Sequence, residues 1–225
     1  MSPAAPSGGG VPEPARPAVA ERSLLAREAL AVAPRLIGAV VTSDLGGAEV
    51  AIRLTEVEAY EGARDPASHA FRGRTRRNAV MFGPPGHLYC YFTYGMHWCA
   101  NIVCGHDGLA TAVLLRAGDV IRGVEAAVQR RPAARRPAEL ARGPARLATC
   151  LGLSAEHNGL DLCDPTSPVR LESVPARRRR EVLSGPRVGI SRAADRPWRF
   201  WLADAASVSA YKAGGRTRPR TGPAD

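Results

Sequence analysis

Leu88-Tyr89-Cys90-Tyr91-Phe92-Thr93-Tyr94-Gly95-Met96-His97-Trp98-Cys99-Ala100-Asn101 is a pair of apolar and aromatic runs joined at a glycine. The pattern predicts a β-hairpin. At the two-residue period of a strand, Tyr89, Tyr91 and Thr93 share one face and Cys90 and Phe92 the other, while Gly95 supplies the backbone freedom for reversal near Tyr94. Two phenols therefore look the same way. Residues 60–98 hold eight of the chain's twelve aromatic side chains, beside a loop carrying Arg72, Arg74, Arg76 and Arg77. Aromatic planes next to cations suit a site that grips a flat, unstacked base on a phosphate chain. The same cluster also suits plain core packing, so composition alone leaves both readings open.

Bulk properties narrow the partner. The net charge is +10, from 31 basic residues of which only Lys212 is a lysine, against 21 acidic ones. That balance calls for an anionic partner, and nucleic acid comes ahead of a membrane because no basic amphipathic helix stands out. Arginine in particular suits bidentate phosphate contacts and stacking on bases. No apolar run is long enough to span a bilayer, and the Pro-, Gly- and Ala-rich start lacks the charged head and apolar stretch of a secretory signal. Five cysteines at irregular spacing argue against a disulfide framework. A cytoplasmic protein with no membrane contact is expected.

Along the chain, residues 1–20 read as a disordered tail, 21–210 as one domain and 211–225 as a second, basic disordered tail. Within the domain, residues 21–33 have helical spacing that Pro34 should end. Residues 36–43 and 48–60 read as two strands about an Asp-Leu-Gly-Gly turn, and 61–85 as a long functional surface loop. After the hairpin come a strand at 110–116, a helix at 120–130 and a helix opened by Gly143-Pro144, whose first-turn amides are free to meet a phosphate. Residues 177–180 are four arginines in a row, and 188–191 and 198–202 are short strand candidates. The sum is an α+β fold, largely antiparallel sheet with a few helices.

In the strand at 48–60, alternation puts Ile52, Leu54, Glu56, Glu58 and Tyr60 on one face, so that a core strand ends in two acids and a phenol. The two acids would have Cα atoms about 6 to 7 Å apart. This spacing invites a paired-carboxylate glycosidase, yet a single acid suffices if it activates water against an anomeric carbon whose leaving group is already activated. Lysine-based covalent chemistry has one candidate, Lys212, in the expected tail. His97-x-Cys99 and Cys104-x-His106 superficially resemble a metal clamp but also match strand alternation. No dinucleotide fingerprint, Walker loop or nucleophile elbow is present, and neither metal nor cofactor is expected.

Several motifs at compatible spacings closely resemble the alkyladenine (3-methyladenine) DNA glycosylase family. They are Thr55-Glu56-Val57-Glu58-Ala59-Tyr60, Ser68-His69, Arg77-Asn78-Ala79-Val80-Met81-Phe82, the hairpin through Asn101, Leu114-Leu115-Arg116-Ala117, Gly143-Pro144-Ala145-Arg146-Leu147, Arg187-Val188-Gly189-Ile190-Ser191 and Arg196-Pro197-Trp198-Arg199-Phe200. The resemblance spans roughly residues 20–203. It implies one mixed domain with a curved antiparallel sheet flanked by helices, and a monomer that begins base-excision repair by hydrolysing the bond between an alkylated or deaminated purine and deoxyribose in double-stranded DNA. By position, Glu58 would be the general base for water, Tyr60 and His69 would sandwich the flipped base, Tyr91 would line the pocket and Asn101 would screen the purine edge. Tyr94 would fill the gap in the duplex, and Met96, Arg77 and Arg116 would hold the DNA backbone. Two departures stand out: Arg76 replaces the family's usual proline, and residues 203–209 lack its Gly-Ser-Pro turn. An enzyme that works on a stacked base must first extrude it, so stacking platforms and a wedge agree with the reading from residues alone. A non-catalytic binder of damaged nucleic acid would need the same surface without Glu58, and a carbohydrate hydrolase would need Glu56 and Glu58 together.

Overall fold

A computed structural model describes residues 17–93, 95–172 and 181–215. Its organising strand is β2 (Val50–Tyr60), preceded by α1 (Arg22–Leu25), α2 (Ala29–Leu36) and β1 (Val40–Ser43). After it come β3 (Leu88–Thr93), β4 (His97–Cys104), β5 (Thr111–Arg122), α3 (Val124–Arg130), β6 (Ala141–Arg142), α4 (Pro144–Cys150), β7 (Val169–Leu171), β8 (Val182–Gly185) and β9 (Arg199–Leu202). All pairings among the described residues are antiparallel. The sheet runs β3-β4-β5-β2-β1-β7, with β6 on β5 and β9 joining β2 to β8. It is a curled α+β half-barrel, as the sequence led us to expect. The hairpin forms with Tyr89 opposite Asn101, Tyr91 opposite Cys99 and Thr93 opposite His97, and Gly95 takes φ +69°, a conformation that L side chains rarely adopt.

One edge of β2 is covered throughout by β5, whereas the other is shared: β1 pairs with its first half and β9 with Glu56, Val57 and Glu58. Where the partner changes, the register slips. Leu54 faces Gly118, Glu56 faces Ala117 and Val57 faces Leu115. This irregularity corrects the simple alternation expected for β2. Ile52 and Leu54 before it, and Val57 and Ala59 after it, all lie in the main core, so Glu56, Glu58 and Tyr60 point to the opposite face. The acids are therefore not a continuation of the apolar stripe.

Other boundaries move for identifiable reasons. The helix expected at 21–33 breaks into α1 and α2, and Pro34 sits inside α2 instead of ending it. One missing N–H is a small loss beside the burial of Val32, Ala33 and Leu36, all fully enclosed. The strand at 110–116 continues to Arg122, so the helix starts at Val124 and not at 120. Residues 188–191 form a bend and not a strand. The 61–85 loop is less superficial than its composition suggests, because Ala70 and Met81 pack with Tyr89, Val103, Ala110 and Ala112 in a second core. Contacts are also made on either side of 21–210. Val19 bridges Glu172, Ala20 is buried, and Lys212 is hydrogen-bonded through its backbone. The 177–180 arginine run and Tyr94 lie outside the described residues. Among the described residues no helix is long and apolar enough to cross a membrane.

Candidate active site

On the face of the sheet turned away from the main core lies a cavity of about 350 Å³. Strand alternation builds most of it. Tyr89 and Tyr91 from β3, Cys99 and Asn101 from β4, and Leu114 and Arg116 from β5 reach it as every second residue of adjacent strands. Tyr60 closes one side from the end of β2, His69 comes from the 61–85 loop, Pro144 from the start of α4 and Val188, Gly189 and Ile190 from the bend before β9.

Glu58 sits one layer behind this wall, fully buried, and each group that holds it belongs to the wall. Its Oε2 accepts from the Tyr60 hydroxyl at 2.8 Å, and its Oε1 accepts from the Val188 backbone N–H at 2.7 Å with Arg116 Nη1 at 3.3 Å. The carboxylate is thus fixed by an O–H, an N–H and a cation. The Tyr60 phenol is kept protonated, its pKa raised well above the usual value first by burial and then by the neighbouring Glu58 charge.

Glu56 has a different environment. Its carboxylate accepts from Arg116 Nε at 2.9 Å, Arg199 Nε at 2.7 Å, the Ser209 N–H at 2.7 Å and Ser209 Oγ at 2.8 Å. Three of these donors meet Oε1 and one meets Oε2, so structural groups hold both oxygens. Arg116, expected on the DNA backbone, is instead buried between the two glutamates. Burial works against its cation, but Glu58 and Glu56 more than offset this and its pKa is raised.

The aromatic walls are braced from behind. Arg187 is fully buried, makes two bonds to Asp65 at 2.5 and 2.8 Å, donates to the Ala59 carbonyl at 3.0 Å and lays its guanidinium 4.6 Å from the Tyr60 ring centre. At the mouth, the exposed His69 ring meets Tyr91 edge-on at 4.5 Å, and its Nδ1 lies 3.1 Å from the Tyr89 hydroxyl. Desolvation, with help from the Arg77 charge, lowers the His69 pKa, so the ring is neutral at pH 7. Burial pushes Tyr89 up to about 12 and raises Tyr91 further. The cavity therefore presents uncharged rings. Asn78 sets the His69 loop: its amide donates to the carbonyls of His69 and Gly73 at 3.0 and 3.1 Å and accepts from Thr75 N–H at 2.6 Å. Asn101 donates to the Tyr89 carbonyl across the hairpin at 3.1 Å.

Outside the mouth, Arg77 is exposed and donates to the Phe92 carbonyl at 2.7 Å, and Met96 at the hairpin end is 68% exposed. Among the described residues no three His, Cys, Asp or Glu side chains gather as a metal site.

Comparison with known proteins bears directly on this arrangement. The family described as methylpurine-DNA glycosylase matches residues 23–206. The chain belongs to that family. Relatives carrying the provisional name 3-methyladenine DNA glycosylase include one from Nocardia farcinica, 52% identical over 185 residues covering 80% of this chain and 85% of its own. One from Streptomyces avermitilis is 50% identical over 202 residues, 89% of this chain and 95% of its own. One from Mycobacterium tuberculosis is 49% identical over 201 residues, 87% and 96% respectively. The protein is thus a DNA glycosylase, a DNA-repair hydrolase whose substrate is DNA. In this glycosylase the sequence pattern pointed to Glu58, Tyr60, His69, Tyr91 and Asn101, and the fold gathers all five at or just behind one cavity. What reasoning from sequence missed is backbone and support: the Val188 N–H, the Arg187 brace and the Ser209 contacts to Glu56. A backbone donor leaves no mark in a sequence, and an arginine among 31 basic residues gives no sign of being buried.

Proposed function

We propose that the glycosylase flips an alkylated or deaminated purine out of duplex DNA into the 350 Å³ cavity and hydrolyses its N-glycosidic bond with a water activated by Glu58. The observation that carries the reading is that Glu58, fully buried, is held by three cavity-wall groups, Tyr60, Arg116 and Val188. In the step, the bond from C1′ to the purine nitrogen breaks with its electrons going to the base, the water oxygen bonds to C1′, and Glu58 takes the water proton. Arg116 acts as a positioning residue that holds and aims the Glu58 carboxylate, in place of the phosphate contact first expected.

Tyr60 and His69 stack on the two faces of the base, Tyr91 lines the pocket and Asn101 screens the purine edge. Neutral, braced rings accept a planar base with little reorganisation. Arg77 and the exposed Met96 meet the DNA backbone, and Tyr94, between Thr93 and Gly95 in sequence, fills the gap in the stack.

The test uses duplexes that each carry one lesion, scored for abasic sites under single-turnover conditions, with wild type beside Glu58→Gln. Glutamine keeps the shape but cannot take a proton, so base release should fall about 10²- to 10⁴-fold with lesion affinity retained. A Glu58→Gln protein that cleaves within about tenfold of wild type would exclude Glu58 as the base.

A further inference from the structure

Residues 207–214 lie beyond the 23–206 family match, yet they are tied to the site at successive points. Ser207 is fully buried, its Oγ 2.8 Å from Thr55 Oγ1 at the irregularity in β2. The Val208 carbonyl accepts from Arg142 Nε at 3.0 Å. Ser209 donates twice to Glu56, lies 3.3 Å from Arg116 Nη2 through its hydroxyl, and accepts from Arg199 at its carbonyl at 2.7 Å. Further on, the Lys212 carbonyl accepts from the Gly189 N–H at 2.8 Å. Gly214 then lies flat on the next residue: a Cβ there would stand 2.2 Å from the Ile190 carbonyl oxygen and 2.3 Å from its carbon. Real side chains do not approach backbone so closely, so only glycine lets the chain lie there.

These contacts converge on the two protein groups that hold Glu58 Oε1. Ser209 acts on Glu56 and Arg116, whose guanidinium meets Glu58, while Lys212 and Gly214 press on Gly189 and Ile190, the neighbours of the Val188 N–H donor. We propose that residues 207–214 are a positioning strap: they clamp the Glu56–Arg116 pair at one end and the 188–190 bend at the other, and so set the Glu58 carboxylate for catalysis. This rests on Glu58 being the general base. No strap residue lines the cavity, so the strap acts through Glu58 and not on the substrate. A displacement of the order of 1 Å at a catalytic group is enough to lower a rate by about 10²-fold while binding, which uses other groups, persists.

The strap predicts a split between rate and affinity. In the full chain, Gly214→Ala places a methyl against Ile190, whereas Gly215→Ala places one where no atom lies within 4 Å. Single-turnover base release from a lesion duplex should fall about 10- to 100-fold for Gly214→Ala, with lesion-duplex affinity unchanged, and Gly215→Ala should match wild type. Ser209→Ala loosens the other end and should also lower the rate at unchanged affinity, and it carries the test alone if Gly214→Ala does not fold. An active wild type with Gly214→Ala and Ser209→Ala at the same rate overturns the strap and leaves the general-base reading standing. Equal losses of rate and affinity, together with a lower melting temperature, overturn it too, since ordinary C-terminal packing would act that way. A Glu58→Gln protein that releases base at the wild-type rate overturns the reading beneath it.

Discussion

The Tyr60 hydroxyl donates to Glu58 Oε2 at 2.8 Å, from a residue two positions along the same strand. In an extended strand such residues share a face, so one side chain serves twice: its ring walls the cavity and its hydroxyl holds the carboxylate behind that wall. The two duties are separable. Tyr60→Phe keeps the ring and removes the donor, and a hydrogen bond to a charged group contributes about 1.5–3 kcal/mol. We expect single-turnover base release to slow roughly 10- to 100-fold with lesion-duplex affinity near wild type. A parallel collapse of affinity would show that the hydroxyl matters to the bound base and not to Glu58.

Glu56 and Glu58 should part company in stability. Glu56 balances two buried guanidiniums, Arg116 and Arg199, and accepts four hydrogen bonds. Glu56→Gln leaves those cations short of a partner, which costs about 3–5 kcal/mol for a broken buried pair. Thermal melting should drop by roughly 6–20 °C. Glu58→Gln should melt much closer to wild type, because Arg116 retains Glu56. Equal melting temperatures for Glu56→Gln and wild type would remove Glu56 from its structural place.

Asn78 is buried and bonds three backbone groups of the loop that carries His69. Asn78→Ala leaves those groups without their partner, at about 1–3 kcal/mol each where they stay buried. The loop should open. Trypsin should then cut at Arg72, Arg74, Arg76 or Arg77 faster than in wild type, and lesion-duplex affinity should fall with it. Unchanged proteolysis would mean that the second core, not Asn78, holds the loop.

His69 supplies a pH dependence with a definite sign. Its folded pKa lies below the unfolded value of about 6.5, so the unfolded chain takes up the proton first as pH falls. The contribution of His69 to stability is therefore present above about pH 6.5 and is lost below it. His69→Phe keeps an aromatic plane and removes the titration. Between pH 7.5 and 5.5 its melting temperature should fall by less than that of wild type, and a larger fall would contradict the assigned direction.

The hairpin was legible in the sequence because its information is local: period-two alternation set which face Tyr89 and Tyr91 share, and Gly95 marked the reversal. The five residues that the family motifs pointed to likewise lie on strands and one loop, and they meet at or just behind one cavity. Side-chain periodicity could not reveal the register slip in β2, where β1 gives way to β9 and the acids change face. That slip depends on which strands meet, and the partners β5 and β9 lie far along the chain, with Gly118 opposite Leu54 and Trp201 opposite Glu56. The same holds for Arg116, which resembled a phosphate ligand until folding set it between Glu56 and Glu58. For the C-terminal stretch, composition suggested a free tail from residue 211, whereas the Lys212 and Gly214 contacts lay residues 212–214 on the 188–190 bend. Local pattern determined the hairpin and most of the strands, though not all their bounds. Only tertiary structure decided which charges neutralise one another, because a buried charge takes its role from partners that the chain brings to it from afar.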